Sequence, residues 1–96
     1  MSFYQVTSKE LRTKADELRN LNGRFFNETE NLSNCHDALN SMWEGDAKDS
    51  FTKMFIKDKA GMDNFKKAID QYIETLLIIA SRYEEAEAKN TSIASR

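Results

Sequence analysis

Apolar residues recur at intervals of seven along nearly the whole chain, and the recurrence is broken once, at Trp43-Glu44-Gly45. No proline occurs anywhere, Trp43 is the only tryptophan, and Gly45 is one of three glycines. The long stretches on either side therefore have no strong helix breaker, and this tripeptide is the place where the chain can turn. A bend at the midpoint of 96 residues predicts an all-α hairpin of two long antiparallel helices.

The first helix is expected over residues 8–42, after a short loose arm at 1–6. Thr7 with Glu10 three places on fits a capping box that satisfies free amides of the first turn. Leu11, Leu18, Phe25, Leu32 and Leu39 repeat at seven, with Leu21, Cys35 and Met42 in the companion row three further along. Lys14 and Glu28 interrupt that companion row, and five asparagines with Gly23 between Asn20 and Asn34 lower the local helix propensity. The turn is assigned to 43–45 and the second helix to 46–89, with Asp46 as N-cap and Asp49 near the positive end of the helix dipole. Its rows are Phe55, Met62, Ile69, Leu76 and Tyr83, then Phe51, Phe65, Tyr72, Ile79 and Ala86, with Asp58 out of pattern. Residues 90–96 read as a frayed tail, and residues 1–96 as one domain.

Each helix is roughly 50 to 60 Å long at 1.5 Å per residue, so the hairpin is a thin rod. With the two heptad seams packed on each other, Ile73, Leu77 and Ala80, with Ile78 beside them and Phe26 on the first helix, form a second stripe. Leaving such groups in water forgoes roughly 1.5 to 3 kcal/mol for each one that could be buried. This stripe is accordingly assigned as a dimer interface that closes a four-helix bundle.

Several function classes are disfavoured. Fourteen basic residues against sixteen acidic ones, for a net charge of −2, make no field that would hold a phosphate backbone, so nucleic acid is not an expected ligand. The amino terminus lacks the basic and apolar regions of a signal peptide. The longest apolar run, Leu76 to Ala80, is far short of the roughly 18 residues a membrane span needs. Cys35 and His36 are the only thiol and imidazole. Adjacent helical residues diverge by about 100°, which separates nucleophile from base; Cys35 reads as a small buried hydrophobe. No transition-metal or phosphate-loop motif appears, so no enzyme activity, cofactor or metal is expected. The lysines at 53, 57, 59, 66 and 67 are interrupted by Asp58, Asp63 and Asp70 and read as a solvated face.

Near the far end, Tyr83 and Glu87 place a phenol and a carboxylate four residues apart, on one helix face. With the Trp43-Glu44-Gly45 turn and two proline-free heptad helices, this chain resembles the WXG proteins of about a hundred residues, the early-secreted-antigen-like (Esx) substrates of type VII secretion systems. The resemblance implies a helical hairpin forming homo- or heterodimers in Gram-positive bacteria or mycobacteria. It also implies export without a cleaved signal peptide, with Trp43, Gly45, Tyr83 and Glu87 as secretion signal, recognition by a hexameric membrane ATPase, and a virulence-associated effector or co-secretion role, alone or with a larger effector. Glu87 stands where many members carry aspartate.

Trp43 and Tyr83 lie roughly 55 to 60 Å apart along one rod. They form one surface only if two hairpins pack antiparallel, so export recognition is expected to require a dimer, with a homodimer preferred to a heterodimer with a related WXG protein. Two alternatives remain at this point: an effector acting after release on host membranes or proteins, and a plain structural coiled coil.

Overall fold

The computed structural model describes residues 6–94, with side chains through residue 90. Two helices, α1 (Ser8–Ser41) and α2 (Asp46–Ala94), account for the architecture. They form an antiparallel hairpin with principal extents of 77 × 21 × 16 Å. Most of the arm read over residues 1–6, and residues 95–96 of the tail, lie outside the described residues.

Local chemistry explains the ends. The Thr7 side chain accepts from the Glu10 amide at 3.1 Å, meeting one of the first-turn donors that α1 cannot satisfy internally. α1 closes with the Met42 amide donating to the Leu39 carbonyl at 3.0 Å, a tightened last turn. Gly45 then takes φ +108°, a conformation that L side chains rarely adopt. Its carbonyl accepts from the Asp49 amide at 3.2 Å and thereby opens α2. Asp46 is thus the first residue of α2 rather than its cap; its carboxylate and that of Asp49 lie in the first turn, favourable to the dipole. At the other end α2 continues to Ala94, past the stop expected near residue 89. Asn90, Thr91 and Ser92 are weak helix formers, but no proline or glycine accompanies them to end the helix.

The helices do not meet along the large apolar rows. They meet along a row of small and polar residues one heptad position away: Ser8, Ala15, Asn22 and Thr29 are the buried residues of α1, with His36 half-buried in the same row. Opposite them on α2 lie Ala80 and Ile73, buried, then Lys66, Lys59 and Thr52, half-buried. Ala15 and Ala80 are both 0% exposed, and small side chains let two backbones approach closely. Polar contacts set the register. Asn22 donates to the Lys66 carbonyl at 3.2 Å and to Asp70 at 2.8 Å, and Thr52 donates to Asn40 Oδ1 at 3.2 Å.

This arrangement corrects the expected seam. Leu11, Leu18 and Phe25 on α1, and Phe55, Met62, Ile69 and Leu76 on α2, are half-buried flanks of the contact. Leu32 and Leu39 of the same row, and the companions Leu21, Met42, Phe51, Phe65 and Tyr72, are exposed. It also corrects the assigned stripe: Ile73 is 5% exposed and Ala80 0%, so both are spent within the hairpin and neither is free for a partner. Leu77 is half-buried. Phe26 and Ile78 stay exposed, and Phe26 carries the Lys66 ammonium 5.6 Å above its ring.

Candidate functional site

Helical geometry puts the two displaced heptad rows of α1 and α2 on the same side of the hairpin, because antiparallel helices packed through one row turn the neighbouring rows the same way. The result is one long apolar face. Near its middle, Leu18, Leu21, Phe25, Phe65 and Ile69 line a groove of about 190 Å³ backed by Asn22, and Phe25 meets Phe65 edge-on at 5.4 Å between ring centroids. Towards the turn, Leu32, Cys35, His36, Leu39, Phe51 and Phe55 line a second groove of about 200 Å³. Phe65 is 56% and Tyr72 61% exposed, so the face is a contiguous apolar patch of the kind that marks an interaction surface.

The turn caps one end of this face. Trp43 is half-buried and tilted against Phe51 at 5.8 Å, so the indole extends the aromatic surface around the bend. Gly45 contributes its positive φ; a Cβ there would meet nothing within 4 Å, so the requirement for glycine comes from the backbone alone. Tyr83 stands at the opposite end of the same face, 43% exposed. Glu87, one turn on, points towards α1 and accepts from the Ser8 hydroxyl at 3.3 Å. The structure therefore brings Trp43 and Gly45 together, and Tyr83 and Glu87 together, and separates the two pairs along most of the rod, by roughly 55 to 65 Å at 1.5 Å per helical residue.

A polar clasp adjoins Tyr83. The Arg12 guanidinium holds both oxygens of Glu84, at 2.6 Å through Nη2 and 3.2 Å through Nε, and also donates to Ser81 Oγ at 3.3 Å. The hydrogen bond from Arg12 lowers the Glu84 pKa below its ordinary value, and the reciprocal bond raises that of Arg12. Neither residue was singled out in the sequence. The only available signal was their positions in rows adjoining the small-residue row that carries Ala15 and Ala80.

Cys35 and His36 diverge. Cys35 is exposed on the open face, not buried as its residue type suggested. His36 turns inward, lying flat on Phe55 at 4.1 Å and 4° and beside Phe51 at 5.6 Å, with Nδ1 buried and unpartnered. Among the described residues no group of three or more His, Cys, Asp or Glu is placed to hold a metal ion, and no helix is long and apolar enough to cross a membrane. Lys59 and Lys66 differ from the solvated face expected of them: their stems cover the helix contact while their ammonium groups pair with Asp63 at 3.1 Å and Asp70 at 3.0 Å.

The sequence model of a family described as WXG100, proteins of 100 residues with WXG, matches residues 4–88. Among solved structures, the fold is similar to crystal structures of the secreted protein EsxB from Bacillus anthracis strain Sterne. The selenomethionine-labelled form superposes with a TM-score of 0.79 at 22% identity, covering 91% of this chain and 99% of that one. The wild-type form gives 0.77 at 23% identity, covering 86% and 89%, and a single-substitution mutant of EsxB gives the same values. No curated protein matches this sequence.

Proposed function

The chain belongs to the WXG100 family, and from that membership we propose that it is a substrate or co-exported adaptor of a bacterial type VII secretion system, carried out of the cell as a folded homodimer. The observation that carries this reading is the single apolar face that begins beside Trp43 and ends at Tyr83. Two copies laid antiparallel with these faces together bury Leu21, Phe25, Phe65 and Tyr72 in a four-helix core. The interface thus moves from the stripe read in the sequence to the heptad rows themselves.

Antiparallel pairing has a direct consequence for recognition. It sets the Trp43-Gly45 turn of one subunit beside Tyr83 and Glu87 of the other, so each end of the dimer presents a composite address that neither subunit makes alone. The recognising partner in this reading is the membrane ATPase of the secretion system, and the product is an extracellular or surface-associated protein that acts as effector or escorts a larger one.

Complementation between two defective chains tests it. Trp43→Ala and Tyr83→Ala, expressed singly, should each accumulate inside the cell. Expressed together, they form a mixed dimer with one end doubly broken and one end intact, and export should recover in part. Absence of recovery, with mixed dimers demonstrated by differential tagging, would show that the address is read within one subunit. Normal export of both single variants would remove the secretion-signal assignment altogether.

A further inference from the structure

We propose that Arg12 is the positioning residue for the carboxy-terminal half of the export address, holding the segment that carries Tyr83 and Glu87 against α1 in a fixed rotation. The proposal rests on the function given above and assigns a role in it to a residue outside both short motifs.

Ala80 is the last buried residue of α2 among those whose side chains are described, and every residue from Ser81 to Asn90 is exposed. The segment that carries Tyr83 and Glu87 therefore has no buried apolar side chain to anchor it within the hairpin. Helix propensity alone does not keep such an end in place, because terminal turns gain little once tertiary packing stops. Polar contacts cross to α1 here: Arg12 to both oxygens of Glu84 and to Ser81, and Ser8 to Glu87.

The form of the Arg12 contact suits positioning. A guanidinium that engages both carboxylate oxygens fixes direction as well as distance, which a lysine ammonium does not. Glu84 lies between the two address residues in sequence, so fixing its azimuth fixes theirs, at about 100° per residue. Tyr83 is then held on the open face and Glu87 on the line facing α1. An exposed ion pair adds little to global stability, yet a weak contact suffices to bias a helix end that has no buried residue beyond Ala80 among the described side chains.

The test uses the full-length purified chain and the bacterium that exports it. In Arg12→Ala, amide hydrogen exchange over residues 81–88 should accelerate about two- to fivefold, with residues 60–76 unchanged. The secreted fraction should fall about fivefold while dimer mass and intracellular level are kept. Glu84→Gln, which preserves shape, should do the same. Arg12→Lys should restore neither readout in full, whereas the charge swap Arg12→Glu with Glu84→Arg should restore both. Unchanged exchange in Arg12→Ala overturns the clasp. Faster exchange with normal export overturns the positioning role, provided Tyr83→Ala is retained in the same strain. If Tyr83→Ala is itself exported normally, the secretion reading fails first and the export role of Arg12 fails with it.

Discussion

Asn22 on α1 donates to Asp70 on α2 at 2.8 Å, from a side chain only 5% exposed at the middle of the helix contact. The same amide nitrogen reaches the Lys66 carbonyl, while Oδ1 is buried without a partner. A half-satisfied amide stabilises little in net terms, but it has partners at one register only, which is how a single buried asparagine specifies alignment between helices.

Asn22→Ala should lower the unfolding free energy by about 1 to 2 kcal/mol, the cost of a lost buried hydrogen bond together with a small void. Asn22→Leu deletes the same bonds and also removes the unpartnered oxygen, so it should cost less than alanine. Urea unfolding at fixed protein concentration reads both. Leucine proving worse than alanine would mean that shape, rather than hydrogen bonding, governs this layer.

The heptad recurrence from Leu11 and Phe55 made both helices legible, and the lone glycine with positive φ, Gly45, marked the turn between them. The assignment of faces was not legible, for a physical reason. In an isolated hairpin, large apolar rows are the obvious contact, and a row reading Ser8, Ala15, Asn22, Thr29 looks like surface. Two small residues on the contact rows, Ala15 and Ala80, both fully buried, permit a close approach that larger ones forbid, and the hairpin closes there. The flanking row with Leu18, Phe25 and Ile69 lies beside both the closed contact and the open face, so periodicity alone does not say which of the two it serves. The Arg12–Glu84 clasp left only its place in rows adjoining the small-residue row, and single charged residues on a helix surface are too common for that to mark a contact.

Phe65 distinguishes the two candidate dimer faces. Phe65→Glu places a charge in the central groove and should convert the dimer to monomer in sedimentation equilibrium at micromolar concentration, since a buried unpaired carboxylate costs several kcal/mol. Phe26→Ser and Ile78→Ser lie off that face and should leave the assembly intact. Dissociation by Phe26→Ser and Ile78→Ser, and not by Phe65→Glu, would restore the stripe read from the sequence.

At the turn, Gly45→Ala should destabilise the hairpin by about 1 to 3 kcal/mol through backbone strain, because φ is +108° and the space around the position is open. Gly23→Ala and Gly61→Ala, at helical positions with equally open surroundings, should instead raise stability by up to about 1 kcal/mol. Thermal melts of the three variants separate conformational from steric cost.

Acid should weaken the clasp in a defined direction. Because Arg12 lowers the Glu84 pKa from 4.5, the contribution of the pair is complete above that value and is lost as the pH falls through the lower folded-state value. Amide exchange over residues 81–88 should therefore be more protected in the parent chain than in Glu84→Gln at pH 7, and the difference should shrink below pH 4.5. A gap that persists to pH 2 would assign the effect of the substitution to something other than the charge on Glu84.

Cys35 offers a probe of the assembled state that needs no structural perturbation. Its side chain is exposed on the open face of the single hairpin, beside Leu32 and Phe51 in the groove near the turn. Pairing through that face covers it, and the antiparallel arrangement places it under the far end of the partner's second helix, not opposite its own copy. Reaction with a small aromatic disulfide should therefore slow about tenfold as protein concentration rises through the dimer dissociation constant, following the fraction of free subunit. Phe65→Glu should react at the fast rate at every concentration. Because the two thiols of an antiparallel pair are remote, mild oxidation should also give no covalent dimer at concentrations where the non-covalent dimer is complete. Rapid formation of a Cys35–Cys35 disulfide would instead require the turns of the two subunits to lie at the same end, and would dissolve the composite address that joins Trp43 to Tyr83.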